Sequence, residues 1–404
     1  MKEKKLVILM GVVTALCLIG DSLLYIYLPV YWENVGLNSL TEVGILLSIN
    51  RFIRIPLNPL VSFFIHRHSL KKCLVIAILL AGLVTLGYGL ASSFIIWLFL
   101  RMVWGISWTL LRMGGMKYII QISPDHQTGQ LIGLYNGIFR LGSLGGMLIG
   151  GFVAPYLGLF PVSIALFLII LFALPMIFNM FSQVNNSSYT KVHNHSPQLL
   201  HTTLVPVWWI LAGGLLVSLL FQGIITSSLT FIIDVFWSEP SILLFTFAAA
   251  QWGSILQGVR WSLEPFVAKA AGKWGDRYNK ISIIIYLFLI TGVLLLIYVW
   301  NIPFPIWCFF FLSLVLTGAA LNTLLDALLA AEVRRRNHQS YISFYTLTQD
   351  LGAAIGPLLF YLLMKNHFPF HFFILGCSVL CLIFTLAKLT FYKGAYIKAN
   401  NHFQ

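Results

Sequence analysis

Polar and apolar residues along this chain segregate into blocks, not into the three-to-four-residue rhythm of a helix wet on one face. Apolar runs such as 6–19, 162–178 and 281–299 approach or reach the ~20 residues that cross a hydrocarbon core. Similar runs recur almost end to end and predict about twelve spanning helices. Their approximate cores are 6–31, 41–65, 71–91, 95–117, 129–155, 158–181, 206–233, 241–266, 281–300, 305–330, 340–364 and 370–391. The first run continues into Asp21 and Pro29 without a small-residue cleavage site, so it reads as a retained helix. One long polar stretch, rich in His and Asn, divides the spans six and six. The pattern therefore predicts an all-α integral membrane protein. Its parts are a first six-helix unit (1–181), a linker (182–205) that reads as flexible and cytoplasmic, and a second six-helix unit (206–404).

Composition supports this: 59% of the 404 residues are hydrophobic and 9% charged, against about a quarter charged in a soluble domain. The net charge of +13 raises nucleic acid as a partner, but its placement answers otherwise. Basic residues sit before the first span (Lys2, Lys4, Lys5) and at alternate connections (66–72, Lys191, 269–280, 334–336, 388–398). The intervening connections are neutral or acidic, apart from Lys365. That alternation follows the positive-inside rule and predicts both termini in the cytoplasm; the compact length without long loops points to a multi-pass protein of a bacterial cytoplasmic (inner) membrane. The partner implied is a lipid bilayer, not nucleic acid, and the expected state is monomeric.

Enzyme chemistry finds no foothold. Gly272-Lys273 is followed by Trp274, where a phosphate-cradling loop needs Ser or Thr. Cys17, Cys73, Cys308, Cys377 and Cys381 lack metal-type spacing, and His193, His195 and His201 lie in the linker. No metal and no cofactor are expected.

The two halves repeat at a fixed offset. Gly142 and Gly146 recur as Gly352 and Gly356 (352 − 142 = 356 − 146 = 210), and Arg67 maps onto Arg277 (277 − 67 = 210). A two-fold repeat of six-helix units is the design of carriers whose substrate site lies where the halves meet. The same offset sorts the ionisable residues at membrane depth, each of which needs a partner or a task. Arg54 maps onto Glu264 (264 − 54 = 210) and Arg140 onto Asp350 (350 − 140 = 210), so the halves place opposite charges at equivalent positions.

Four segments carry a family resemblance. Gly272-Lys-Trp-Gly-Asp276-Arg277-Tyr-Asn279-Lys280 resembles the loop signature of the major facilitator superfamily, with Ser62, His66 and Ser69 standing at its positions in the first half. Arg101-Met-Val-Trp-Gly105 resembles that family's buried Arg-x-x-x-Gly element. Gly142-Ser-Leu-Gly-Gly146-Met-Leu-Ile-Gly150-Gly151, echoed by Gly352, Gly356 and Pro357, resembles the glycine motif of exporters and antiporters, with Met147 where that motif has Pro. The opening 20–31, with Asp21 and Tyr25, resembles the drug:proton antiporter branch. The resemblance implies a major facilitator fold of two pseudo-symmetric bundles, in which the second span packs on the eleventh and the fifth on the eighth. Arg54 would then face Asp350 and Arg140 would face Glu264, two ion pairs that close the inner side of the cavity. They lie about 18 Å from a cytoplasmic helix end, at 1.5 Å per residue.

Arg51, Arg101 and Arg260 remain against Asp21. Surplus guanidinium at mid-membrane suits a carboxylate or phosphate. The expected function is proton-coupled transport of a small organic anion or zwitterion, such as a polycarboxylate or siderophore, with export favoured. Arg51, Asn50, Tyr25, Arg101, Arg260 and Gln349 would contact substrate, and Asp21 and Asp350 would carry protons. The alternatives are multidrug efflux and a non-transporting receptor or scaffold of the same fold.

Overall fold

The computed structural model describes residues 2–124, 127–184, 207–237, 240–242, 245–298, 300, 302–336, 340–365, 374–379, 381–382 and 384–385. The linker and the greater part of the twelfth expected span lie outside the described residues. The helices of the first half are α1 (Lys2–Tyr31), α2 (Leu40–Phe52), α3 (Arg54–Arg67), α4 (Leu70–Leu90), α5 (Phe94–Ile122), α6 (Thr128–Phe152), α7 (Ala154–Leu157), α8 (Leu159–Leu171) and α9 (Ala173–Val184). Those of the second are α10 (Val207–Val217), α11 (Thr226–Phe236), α12 (Ala249–Arg277), α13 (Lys280–Tyr298), α14 (Phe304–Arg336) and α15 (Ser340–Lys365). A π-helical segment, Ser218–Ile225, joins α10 to α11, and a hairpin pairs Ser241–Ile242 with Phe245–Thr246.

Among the described residues, eight runs are long and apolar enough to cross a membrane. The spans absent from that set, α2–α3, α6 and α12, carry Arg51, Arg54, Arg140 and Arg260 and several of the glycines. Proline sets the breaks within spans, because it has no N–H and its ring crowds the carbonyl four residues back. Pro56 stands four residues after Phe52, where α2 ends, and Pro175 four after Leu171, where α8 ends. Pro155 likewise follows the end of α6.

In the first half α1 lies along α6, and in the second α15 lies along α10 and the π-helical segment. Between the halves, α2 packs along α15 and α12 along α6. These are the second–eleventh and fifth–eighth contacts that the resemblance implies.

The four helices at this seam change character along their length. Call the side with Lys4, Arg67 and Arg277 the basic side, and the other the neutral side. Toward the neutral side α2 buries Val43, Leu46, Leu47, Ser48 and Asn50, whereas its continuation α3 buries only Val61 and Ile65. In α12, Ala249, Ala250, Gln251, Trp252, Ser254 and Gln257 are buried, while Ser262, Leu263, Phe266 and Lys269 are exposed. In α15, Ala353, Ala354, Phe360 and Tyr361 are buried, but Ile342 and Phe344 are exposed. In α6 a Cβ at Gly133 or Gly137 would meet nothing within 4 Å. The seam is shut on the neutral side and parted on the basic side.

Candidate functional site

Where the seam changes from shut to parted, it carries charge. The Arg54 guanidinium of α3 donates to the Asp350 carboxylate of α15 at 2.8 Å. Arg140 of α6 donates to Glu264 of α12 at 3.1 Å. The structure thus brings together both residue pairs that the repeat and the resemblance's helix neighbours together imply. Each pair is made while the basic side stands parted, so closing that side is not what they do in this arrangement. They form the inner edge of the neutral-side seal instead. Beyond them that seal is built from hydrogen bonds and close backbone approach. Ser254 donates to the Met147 carbonyl at 2.7 Å and Gln251 to the Tyr156 hydroxyl at 2.9 Å, both across the seam. A Cβ on Gly44 would stand 2.8 Å from Tyr361 Cβ.

Two further arginines flank the pairs. Arg51 of α2 reaches across the seam to donate to Gln222 Oε1 at 3.2 Å, a neutral partner. Gln222 is aimed there from the π-helical segment, at the end of which the Thr226 hydroxyl donates to the carbonyl of Phe221. Arg260 of α12 is buried; it donates to Thr226 Oγ1 at 2.8 Å and stands 3.8 Å from Glu264. Trp261 lies between Arg140 and Arg260, 5.4 and 5.7 Å from their guanidinium carbons.

Arg101 belongs elsewhere. Its side chain is fully buried inside the first bundle, where it pairs with Asp21 and donates to the Leu46 carbonyl at 2.8 Å. Tyr25 is buried with its ring 6.0 Å from that guanidinium. Arg101, Asp21 and Tyr25 therefore make one internal cluster, and Arg101 has no face turned to the seam for a substrate. The cause is physical: a buried guanidinium is tolerable only with a counter-charge and filled hydrogen bonds, and Asp21 is the acid that supplies the charge. Asn50 is buried in α2, and its Oδ1 has no hydrogen-bond partner among the described residues. Gln349 sits half-buried on α15 one residue before Asp350.

The glycine motif faces inward. A Cβ on Gly142 or Gly146 would run into the backbone of Ala15 or Ile19 of α1, and one on Gly150 would stand 2.7 Å from the Leu23 carbonyl. Gly352 and Gly356 do the same against Leu215 and Gly223. Only Gly151 of the set turns across the seam, onto Ala250 and Ser254. Pro357 lends its carbonyl to the Gly44 contact, 3.0 Å from the position of that Cβ. These residues let helices approach closely. In the loop motif, Arg277 lies over the Tyr278 ring at 5.7 Å, Asn279 Oδ1 accepts the Ile281 N–H, Lys280 packs by Gly275, and Gly272 faces open space. The Asp276 side chain lies outside the described residues. No group of three or more metal-ligating side chains occurs among the described residues.

Sequence reasoning missed Thr226 and the π-helical segment. Nothing in the periodicity marks a π turn, and a neutral partner of an arginine leaves no charge pattern to read.

Comparison with known proteins fits this geometry. The family model described as Major Facilitator Superfamily matches residues 10–262 and 266–402. The chain is 27% identical over 351 residues to "Multidrug resistance protein MdtG" of Salmonella typhi, covering 84% of this chain and 83% of that one. The same holds for the protein of that name from Enterobacter lignolyticus (strain SCF1), with 80% of it covered. In fold, the chain is similar to a bacterial homolog of the human lysosomal transporter Spinster in an inward-facing, occupied conformation (TM-score 0.67, 14% identity, 96% of each chain). It is also similar to a D-xylose-proton symporter (TM-score 0.63, 14% identity, 95% of each chain). With a family match along nearly its whole length and two bundles meeting at a charged seam, this chain belongs to the Major Facilitator Superfamily and is a membrane transporter, not an enzyme.

Proposed function

We propose that this chain is a proton-coupled carrier that exports a small organic anion or zwitterion by alternating access, with its basic side in the cytoplasm. The observation that carries the substrate class is Arg51. It is a guanidinium at mid-membrane, between the bundles, whose contact is the neutral Gln222 oxygen at 3.2 Å. A charge so placed is costly without an opposite charge, and a substrate carboxylate or phosphate would supply one with bidentate geometry. Asn50, the neighbour of Arg51 in α2, Gln349, the neighbour of Asp350 in α15, and Arg260 are the further groups assigned to that substrate. We assign the coupling proton to Asp350, since protonating it would remove the charge that holds Arg54 across the seam. Asp21, locked to Arg101, is the reserve candidate.

A thermal-shift screen tests the substrate class, since a ligand that binds the folded state raises its melting temperature. Polycarboxylates, siderophores, amino acids and lipophilic cations would be compared on the wild type and on Arg51→Gln. The proposal expects anions to stabilise the wild type and to lose that effect in Arg51→Gln. Stabilisation by lipophilic cations alone, unchanged by the substitution, would replace it with multidrug efflux. That second reading has its own support in the name carried by the MdtG relatives and in the aromatic groups beside the seam, Trp108, Phe139 and Trp261.

A further inference from the structure

On the basic side of the ion pairs, one arginine of the first bundle has only neutral company. Arg112 of α5 is half-buried and donates to Asn136 Oδ1 of α6 at 2.7 Å. Its guanidinium carbon lies 5.0 Å from the Phe139 ring and 5.8 Å from the Tyr135 ring. Both rings are held in place. The Tyr135 and Thr14 hydroxyls share a hydrogen bond at 3.2 Å, and Phe139 packs edge-on against Trp108 at 5.7 Å. No acid stands within 4.0 Å of Arg112 among the described residues. Arg54 Nε, Arg101 Nη2 and Arg260 Nε are buried without a partner, but no Arg112 nitrogen is, so the donors that Asn136 leaves over reach open space. That space is the parted seam: Gly133 and Gly137, on either side of Asn136 in α6, are exposed, and a Cβ on either would meet nothing within 4 Å.

We infer that Arg112 is a second anion-binding residue, a capture subsite entered from the basic side that takes the carboxylate of a substrate with an aromatic body. This rests on the anion reading of Arg51 and narrows it. Arg51 has the same two properties, an amide partner in Gln222 at 3.2 Å and no nitrogen buried without a partner. A Cβ on Gly105 would lie 2.8 Å from the Asn50 carbonyl, so Gly105 marks the level of Arg51 on α5. Arg112 stands seven residues further toward the basic side, about 10 Å at 1.5 Å per residue. A guanidinium at this depth is costly without an opposite charge, and it offers a carboxylate two parallel N–H donors. The wall that leads from Arg112 toward Arg51 is aromatic: Trp108 lies one turn along α5, with Phe139 against it. A ring joined to the carboxylate would stack on these side chains. A polycarboxylate without a ring would have to desolvate its other charges there for no return.

Calorimetric titration of the full-length protein in lipid nanodiscs, against empty nanodiscs, tests this with three probes. These are 2-naphthoate, citrate, and naphthalene-2-methanol as the uncharged counterpart of naphthoate. Wild type should bind naphthoate at least about tenfold more tightly than either of the others. Arg112→Gln should weaken naphthoate at least about tenfold. Arg112→Lys should weaken it less, since it keeps the charge and loses the fork. Neither change should alter the binding of naphthalene-2-methanol, and Phe139→Leu should weaken naphthoate but not citrate. Equal weakening of naphthoate and naphthalene-2-methanol by Arg112→Gln would mean that Arg112 only holds the rings in place, which overturns the inference. Citrate bound as tightly as naphthoate, or naphthoate binding that Arg112→Gln leaves unchanged, overturns it too. If Arg51→Gln then still weakens the anions, the subsite falls and the anion reading stands. Weakening by Arg112→Gln with none by Arg51→Gln upholds the subsite and removes Arg51 as a substrate contact.

Discussion

The neutral-side and basic-side halves of the seam are built from the same four spans, yet one is solid and the other is open. In α6 the contrast falls within one helix. Gly142, Gly146 and Gly150 press on the backbone of α1, and Met147 accepts a hydrogen bond from Ser254 across the seam, whereas Gly133 and Gly137 face empty space. In α12 the change comes between Gln257, fully buried, and Ser262, exposed. The lesson is that closure here comes from two different chemistries. Small residues and backbone hydrogen bonds make the solid half, and paired charges mark its inner limit. A glycine contact is lost steeply with separation, as dispersion is. An ion pair tolerates small movements and holds direction, which suits the boundary about which the bundles turn.

The sharpest way to break the contrast is to damage a cluster that belongs to neither half. Asp21→Asn leaves the Arg101 guanidinium buried without its counter-charge. Removing one partner of such a pair costs about 3–5 kcal/mol, so the purified variant should melt many degrees below wild type. A melting point within a degree or two would mean that the Asp21–Arg101 pair does not support the first bundle. Next comes bulk in the two halves of α6. Gly146→Leu forces a side chain into the α1 backbone and should cost about 1–3 kcal/mol. Gly137→Leu meets open space and should leave the melting point nearly unchanged. Equal losses from the two would erase the distinction between the halves.

Smaller effects are expected at the boundary itself. The Arg54 and Asp350 side chains are 14% and 23% exposed, so reversing either charge should cost about 1–2 kcal/mol. The double reversal Arg54→Asp/Asp350→Arg should recover most of that loss, as double-mutant coupling requires for a direct contact. Arg140–Glu264 is weaker, because the Arg140 side chain is 47% exposed. Its loss should change melting least and appear instead as faster labelling of the seam.

Much of this seam is legible in the sequence for a specific reason. Charges inside a membrane are so few that a fixed offset pairs them almost uniquely: Arg54 with Glu264, and Arg140 with Asp350. Those equivalences, joined to the neighbour relations of a known fold, place Arg54 beside Asp350 and Arg140 beside Glu264. What the sequence does not carry is rotation and state. Periodicity gives a helix its faces but not which neighbour each face meets, so the glycine motif's contacts with α1 are visible only in the structure. Arg101 was expected near substrate because its burial and its partner Asp21 depend on how α5 turns against α1. Which side stands parted is a property of one conformation, and no residue pattern records it. The repeat also fails where the seventh span adopts its π turn. The first span runs as an unbroken helix, α1, and the seventh does not.

The most direct measurement is the labelling rate of single cysteines by a membrane-impermeant maleimide in a background without the five native cysteines. Gly133→Cys and Ala268→Cys lie on the basic side of Arg140 and Glu264, and Met147→Cys and Ser254→Cys lie on the neutral side. The account predicts that the first two label at least about tenfold faster than the second two. It also predicts that Glu264→Gln narrows the gap by loosening the boundary. Equal rates at all four positions in wild type would contradict a seam that is shut on one side of its ion pairs and open on the other.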